Sequence, residues 1–181
     1  MPRQSSPLSV EYVLLGFLEQ ESIHGYDLYK RLSSLEPIGL VWRIKQSQLY
    51  AIMERLEAEG MVTSTVIPSE SHPNRKQYEL TDAGRITFLT WRSSPVQHGR
   101  EIRVEFLAKL YFALQSSKET THALVLVQLA SCSTWVANIE RTLNDTPETQ
   151  IYERIVFQYR LAQMRAVIDW LEEVNKEMQS R

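Results

Sequence analysis

The fold is decided by residues 46–85, which have the sequence QSQLYAIMERLEAEGMVTSTVIPSESHPNRKQYELTDAGR. The apolar side chains of its first part recur at intervals of three and four, which places them on one face of a predicted helix. These residues are Leu49, Ile52, Met53 and Leu56. Gly60 follows, and glycine readily adopts the left-handed conformation that commonly ends a helix. The stretch therefore begins with an amphipathic helix and a defined stop.

Two strands and another helix are predicted after this stop. Residues 61–67 are rich in β-branched side chains, and residues 76–80 alternate apolar and polar side chains, as strands do. The prolines, serines and asparagine of residues 68–75 predict a loop between them. Thr81 can cap the next helix, with Asp82 complementing its dipole. A helix, a hairpin and a helix in this order predict a winged helix-turn-helix.

Two helices upstream complete the trihelical core that this fold needs. Residues 8–18 carry an apolar face, and Gly25 opens a second helix in which Leu28 and Leu32 face inward. His24 precedes that glycine. We interpret it as a hydrogen-bonding turn residue and assign it no chemistry.

Basic residues fall at the two places where a winged helix contacts DNA. Arg43 and Lys45 precede the predicted recognition helix and can reach phosphates. Arg75 and Lys76 lie at the predicted hairpin tip, where we expect no nearby acidic residue, so we predict that they contact the flanking backbone or a minor groove. The formal net charge is −2, so it is the placement of these cations, and not the overall charge, that favours DNA.

Polar residues beside these cations complete the predicted DNA site. Ser47 and Gln48 lie in the first helical turn and can reach base edges, and Tyr50 can donate its hydroxyl to a phosphate. Asn74 precedes the wing cations and is included with them. Arg55 is expected to pair with Glu59 four residues on, which would make it an ordinary surface residue.

An alternative is a winged-helix protein-interaction module without DNA binding. Three acidic residues crowd the recognition helix, namely Glu54, Glu57 and Glu59. They lie toward its C-terminal end, whereas DNA is contacted by the N-terminal turn. We therefore prefer DNA binding.

Several motifs in order resemble the PadR-like family of winged-helix transcriptional regulators. They are GYDLYKRL, LYAIMERLEAEGMV and RKQYELTDAGR, followed in the second half by EFLAKLYFAL and DWLEE, which are similar to the C-terminal helical domain of longer members. The likeness spans residues 8–174. Ala51 stands where members often have proline, and Gln46, Ser47 and Gln48 replace a common proline-glycine-serine run. The resemblance implies a mode of docking on DNA but no base preference.

The family resemblance also implies partners. It implies a homodimeric repressor on an inverted-repeat operator of double-stranded DNA, and small aromatic ligands such as phenolic acids release some members from DNA. The fold class that we predict is mainly α with a small β-hairpin wing. We predict a winged helix-turn-helix DNA-binding domain over residues 1–93 and an all-helical dimerisation domain over residues 94–181.

Two predicted helices of the second half carry the dimerisation hypothesis. Residues 118–143 have an apolar seam at spacings of four and three, typical of a helix packed along its length. Residues 149–177 have one narrow polar stripe with apolar side chains on two sides, and one of these sides needs a partner. A symmetric dimer supplies it. The dimerisation residues that we assign are Val125, Leu129, Val136, Ile155, Tyr159, Ala162, Ile168 and Leu171.

Composition argues against other classes of function. The four histidines are scattered without ligand spacing, and no phosphate loop or nucleophile elbow occurs, so we expect no enzyme, no metal and no cofactor. The single Cys132 excludes an internal disulfide and is expected to be a buried thiol. We find no apolar run of membrane-spanning length and no secretion signal, and we expect a cytoplasmic protein. The aromatic residues of the second half are interpreted as core.

Overall fold

A computed structural model describes residues 9–33, 37–41, 44–67 and 75–180. Contacts between residues divide it into two compact units. The first comprises the described residues up to Arg92 together with Arg103–Phe112, and the second comprises Ser93–Ile102 and the described residues from Ala113 onward.

Four helices and three strands form most of the first unit. They are α1 (Ser9–Gln20), β1 (Ile23–His24), α2 (Gly25–Ser33), α3 (Gln46–Ala58), β2 (Val62–Ile67), β3 (Arg75–Leu80) and α4 (Asp82–Ser93), whose last residue begins the second unit. A short 3-10 turn, Pro37–Leu40, lies between α2 and α3. The mainly helical fold with a small wing, as predicted, is confirmed.

The antiparallel sheet has the order β1-β3-β2 and so contains one strand more than the predicted hairpin. β1 is only two residues long, and its Ile23 lies opposite Tyr78 of β3. His24 lies opposite Gln77, so the interpretation of this histidine as a turn residue is wrong. Its Nδ1 atom is buried and has no hydrogen-bond partner in the described part of the chain.

The apolar faces predicted from helical spacing meet in one core. Leu49, Met53 and Leu56 of α3 are buried, as are Leu28 and Leu32 of α2. The core is completed by residues of α1, β3 and α4, among which Phe17, Tyr78 and Phe88 are each 1% exposed. α3 is therefore held by its apolar face, while Ser47, Ala51 and Glu54 are exposed.

The turn after α3 and the start of α4 are joined by hydrogen bonds. Gly60 has a φ of 72°, which confirms the predicted left-handed stop. The Thr81 hydroxyl accepts a hydrogen bond from the Gly84 amide at 3.0 Å, as expected of an N-cap residue. The same hydroxyl shares its one hydrogen between the carbonyl oxygens of Gly60 and Met61, which lie 2.8 and 2.9 Å away. Thr81 thus fixes the first strand of the wing to α4.

The chain enters the second half through one turn of π-helix, Ile102–Phe106, and continues as α5 (Leu107–Ser116). Within the first unit, the Trp91 indole N–H donates to Glu105 at 2.9 Å, and Glu105 forms an ion pair with Lys109 at 3.3 Å. The Lys109 side chain is 2% exposed, and its ammonium lies over the Trp91 ring. A fully buried lysine requires such a partner, because an unpaired buried charge is costly.

α6 (Lys118–Asp145) and α7 (Ile151–Ser180) form an antiparallel pair in the second unit. At one end, His122 Nδ1 lies 2.7 Å from Asn175 Oδ1. At the other, the Arg154 guanidinium donates to the carbonyls of Leu143 and Thr146 at 3.1 and 2.7 Å. These carbonyls belong to the end of α6, so Arg154 caps that helix.

A buried amide lies inside this second unit. The Gln128 side chain is 0% exposed, accepts a hydrogen bond from the Val96 amide at 2.9 Å and donates to the Cys132 sulfur at 3.6 Å. Cys132 is buried, as predicted, and burial raises the pKa of its thiol.

α6 corrects one expectation about apolar runs. This helix is long and apolar enough to cross a membrane if only length and composition are considered. Helices that pack in water-soluble proteins meet the same test, so one such helix is weak evidence. Charged residues do not interrupt it between Glu119 and Glu140, a run that the sequence analysis overlooked.

Candidate nucleic-acid interface

The N-terminal turn of α3 is the most open part of that helix. Gln46, Ser47 and Gln48 are all exposed, and Lys45 precedes them with extended backbone. The Gln48 side-chain oxygen accepts a hydrogen bond from the Lys45 amide at 3.1 Å. Because this oxygen caps the helix, the Gln48 NH₂ group is the part left for an outside acceptor.

Tyr50 is half-buried, in contrast to the polar residues before it. A Cβ atom added at Gly25 would lie 2.8 Å from the Tyr50 ring, so the ring packs on the start of α2. Glycine at position 25 permits this approach. The packing fixes the orientation of the Tyr50 ring and therefore the direction in which its hydroxyl could donate to a phosphate.

Acidic residues of α1 and of the turn after it neutralise several arginines of the first unit. Arg31 pairs with Glu21, Arg85 lies 2.8 Å from Glu19, and Arg55 pairs with Glu11. The expected pairing of Arg55 with Glu59 is therefore wrong. Glu11 is 7% exposed and comes from a different helix, so the sequence spacing within α3 carried no signal for this ion pair.

Two predicted DNA-contacting cations remain outside any ion pair with the described residues. Lys45 precedes α3, and Arg75 begins β3, and both are exposed. Lys76 differs, because its ammonium lies 3.3 Å from Glu57 of α3. The expectation that no acidic residue lies near Lys76 is wrong, since an acid distant in sequence is brought beside it.

The remaining predicted DNA residues, Arg43 and Asn74, lie outside the described residues. The described ones lie on two elements, the start of α3 and the loop end of the wing strands. Ser64 of β2 was not among the predicted site residues, although its hydroxyl donates to Glu57 at 2.6 Å. Alternation along β2 was the only available signal, and it does not identify a partner.

The predicted dimerisation residues separate into three groups by exposure. Val125 and Leu171 are 0% exposed and pack inside their own unit. Leu129, Val136 and Ile168 are half-buried, whereas Ile155, Tyr159 and Ala162 are exposed. The last group presents the largest accessible surface to another molecule.

An apolar patch at the beginning of α7 extends that exposed group. Its members lie within about a third of the helix circumference at 100° per residue. We call it the α7 patch, and it consists of Ile151, Tyr152, Ile155 and Tyr159, which are 66, 75, 56 and 66% exposed. Ile151 and Tyr152 lie inside the predicted helix 149–177 but were not assigned to dimerisation, and Tyr152 was interpreted as core.

In the described part of the chain, no group of three or more histidine, cysteine, aspartate or glutamate residues could hold a metal ion. A trihelical core with a wing, and an open first turn on α3, define a protein of the winged helix-turn-helix class.

Comparison with known proteins agrees with this class. Residues 14–89 match the transcriptional regulator PadR-like family, and residues 102–179 match the family described as virulence activator alpha C-term. The chain is 26% identical to the negative transcriptional regulator PadR of Bacillus subtilis over 178 residues, covering 91% of this chain and 94% of that protein. It is 23% identical to a probable transcriptional regulator of Mycobacterium tuberculosis, over 96% of this chain and 100% of that protein.

The structure is also similar to that of Bacillus subtilis PadR in complex with operator DNA. The TM-score is 0.48 at 23% identity, and the match covers 94% of this chain and 99% of that one. The two family matches follow one another along most of the sequence. The chain belongs to the PadR-like family of transcriptional regulators, whose members are not enzymes.

Proposed function

We propose that the protein is a homodimeric, sequence-specific DNA-binding repressor that recognises an inverted-repeat operator. The observation that carries this proposal is that Lys45 and Arg75 are exposed, form no ion pair with the described residues, and lie on the two elements that a winged helix uses to contact a duplex. Arginine or lysine beside an open helix N-terminus binds phosphate through both charge and helix dipole. The exposed Ser47 and Gln48 would then meet base edges in the major groove.

Repression is supported by the name of the Bacillus subtilis relative, a negative transcriptional regulator. α3 and both long strands of the wing lie within residues 14–89, which match the PadR-like family. A bound winged helix occludes the DNA that it covers, so a repressor needs no further activity than binding. Action on DNA also leads us to propose the cytoplasm as the location of this protein.

The α7 patch supports the homodimer. Large exposed apolar side chains grouped on one helix face favour association, because burial removes them from water. In a twofold-symmetric dimer the same patch serves both chains, and the two copies of α3 would be presented to one face of the duplex roughly 34 Å apart. Val125 and Leu171 would support the interface from within the unit rather than contact the partner.

We further propose that a small aromatic ligand releases the protein from DNA, as family resemblance implies. Such a ligand must bind the DNA-free state more tightly than the bound state, since only differential affinity shifts the equilibrium. Equal operator affinity with and without a saturating phenolic acid would reject that compound as the effector.

The experiment that tests the function is capture of genomic fragments by the purified protein, followed by footprinting of the enriched sequence. An inverted repeat upstream of few genes is the expected result. Lys45→Ala and Arg75→Ala should each weaken binding and reduce the salt dependence by about one phosphate contact per chain, and Lys176→Ala on exposed α7 should change neither. No enrichment over scrambled DNA at moderate salt would instead favour the protein-interaction module.

A further inference from the structure

Glu57 connects the recognition helix to both strands of the wing. Its carboxylate accepts a hydrogen bond from the Ser64 hydroxyl of β2 at 2.6 Å and one from the Lys76 ammonium of β3 at 3.3 Å. The hydrogen bond from Ser64 lowers the pKa of Glu57, and Lys76 lowers it further, so the carboxylate is ionised at neutral pH. One charged group of α3 therefore contacts two strands at once.

The strand register explains why these side chains meet. Ser64 lies opposite Tyr78, and Val66 lies opposite Lys76, so all four side chains share one face of the sheet. Tyr78 is buried in the core, which shows that this face is turned toward the helices. Arg75 precedes Lys76 and alternates to the opposite face. The two neighbouring wing cations are thus not equivalent.

Lys76 is held in the DNA-free protein by a contact that is easily broken. The Lys76 side chain is 46% exposed and the Glu57 side chain 33%, and ion pairs at such positions contribute little to stability. A DNA phosphate offers the ammonium a comparable partner and also releases counterions. Exchange from carboxylate to phosphate therefore requires no unfolding of the wing.

We propose that Glu57 competes with DNA phosphate for Lys76, and that it holds the wing on α3 until DNA displaces it. The proposal rests on the DNA-binding function proposed above. Glu57 then has two opposing effects on DNA binding. Its hydrogen bond with Ser64 positions the wing, and its bond with Lys76 lowers the affinity for DNA. Substitution with glutamine separates them, because an amide oxygen still accepts from Ser64 but no longer attracts the ammonium.

The test uses the full-length protein and a random-sequence duplex of about 24 base pairs, since phosphate contacts do not depend on sequence. Glu57→Gln should bind about two- to fivefold more tightly than the wild type. The slope of log affinity against log salt should change little, because Lys76 contacts phosphate in both complexes and only the competing carboxylate is removed. Fluorescence anisotropy at several salt concentrations measures both quantities.

Glu54→Gln is the matched control, because Glu54 lies one turn earlier on α3, is exposed, and forms no ion pair with the described residues. It removes the same charge without releasing a lysine, so its effect should be smaller and its salt slope unchanged. In a Lys76→Met background, Glu57→Gln should have only the effect of Glu54→Gln. Equal effects of the two glutamine variants in the wild-type background, or weaker binding by Glu57→Gln, would overturn the competition.

Hydrogen exchange without DNA tests the positioning part separately. Amides of β2 and β3 should exchange faster in Glu57→Ala, which loses both bonds, than in Glu57→Gln, which retains the Ser64 bond. Unchanged exchange in Glu57→Ala would overturn the positioning role. If the wild type showed no salt-dependent affinity for the duplex, the proposed function and the competition would both be wrong, while exchange would still decide whether Glu57 holds the wing.

Discussion

The side-chain oxygen of Gln128 lies 2.9 Å from the backbone nitrogen of Val96, and both residues are buried in the second unit. The bond fixes the segment that follows α4 to the middle of α6. Backbone N–H groups that are removed from water need an acceptor, and here a side chain supplies it in place of a helix or a sheet.

We expect Gln128→Leu to destabilise the protein by about 1–3 kcal/mol, because it removes that acceptor and leaves the Val96 amide unpaired in the interior. Urea denaturation followed by circular dichroism measures the change. Gln163→Leu, at an exposed position of α7, should stay within about 0.5 kcal/mol of the wild type. Equal stabilities of the two variants would mean that the Val96 amide finds another acceptor.

Gly84→Ala should also destabilise the protein, by about 1–3 kcal/mol. A Cβ atom at this position would lie 2.1 Å from the Met61 carbonyl oxygen, which belongs to the backbone and cannot rotate away. Alanine is the better helix former by about 1 kcal/mol, so any loss of stability measures the clash. Ala83→Gly, at the exposed neighbouring position, reports the propensity change alone. A stabilised Gly84→Ala variant would show that α4 can move away from the wing.

Alkaline pH should weaken the fold through Tyr78. Burial raises the pKa of Tyr78 above its ordinary value of 10.0, and the nearby Glu57 carboxylate raises it further. The folded state therefore holds this proton more tightly than the unfolded state. Its contribution to stability is complete below pH 10 and is lost as the pH rises through the folded-state pKa.

Tyr78→Phe should reduce this alkaline loss of stability, because phenylalanine has no proton to release. Urea midpoints at neutral pH and at several values above pH 10 measure the effect. Tyr26→Phe is the control, since Tyr26 is 58% exposed in the same unit. Identical pH profiles for the wild type and Tyr78→Phe would contradict the assignment of the alkaline loss of stability to Tyr78.

Tyr159→Glu should dissociate the proposed dimer. A charge placed in the α7 patch must be desolvated when the patch is buried, and loss of a central aromatic contact often costs about 2 kcal/mol or more in association. The dissociation constant would then rise by about thirtyfold or more, as measured by analytical ultracentrifugation. Gln179→Glu, near the exposed end of α7, introduces the same charge away from the patch and should leave association unchanged. A wild-type protein that is monomeric at all concentrations would contradict the dimer itself.

Local signals in the sequence were sufficient for most of the winged helix. The left-handed Gly60 and the N-cap Thr81 act within a few residues of their own positions, and both were predicted. The apolar period of α3 was equally reliable, since Leu49, Met53 and Leu56 are buried together. Each of these features is dictated by the backbone conformation of one short segment.

Features that depend on distant residues were missed. β1 is a strand only because it pairs with β3, and its two residues are too few to show the alternation of apolar and polar side chains that predicts a strand. Glu57 and Lys76 are separated by 19 positions and meet only through the turn between helix and wing. Val125 and Leu171 were assigned to the dimer interface for the same reason, although both are buried in their own unit. Periodicity identifies an apolar face but not the surface that covers it.

Each of the two units is built from two separate segments of the chain, and this limits where the protein can be cut into fragments. Residues 103–112 return to the first unit after 93–102 have joined the second, so neither unit is one continuous segment. A fragment that ended at Ser93 would lose Phe112, whose ring packs edge-on against Phe17 and Phe88 at 5.5 and 5.3 Å between centroids. A single crossover after residue 93, made between relatives to exchange the DNA-binding half, would therefore separate Phe17 and Phe88 from Phe112. Recombination would keep this aromatic cluster together only if residues 103–112 were exchanged along with the first segment.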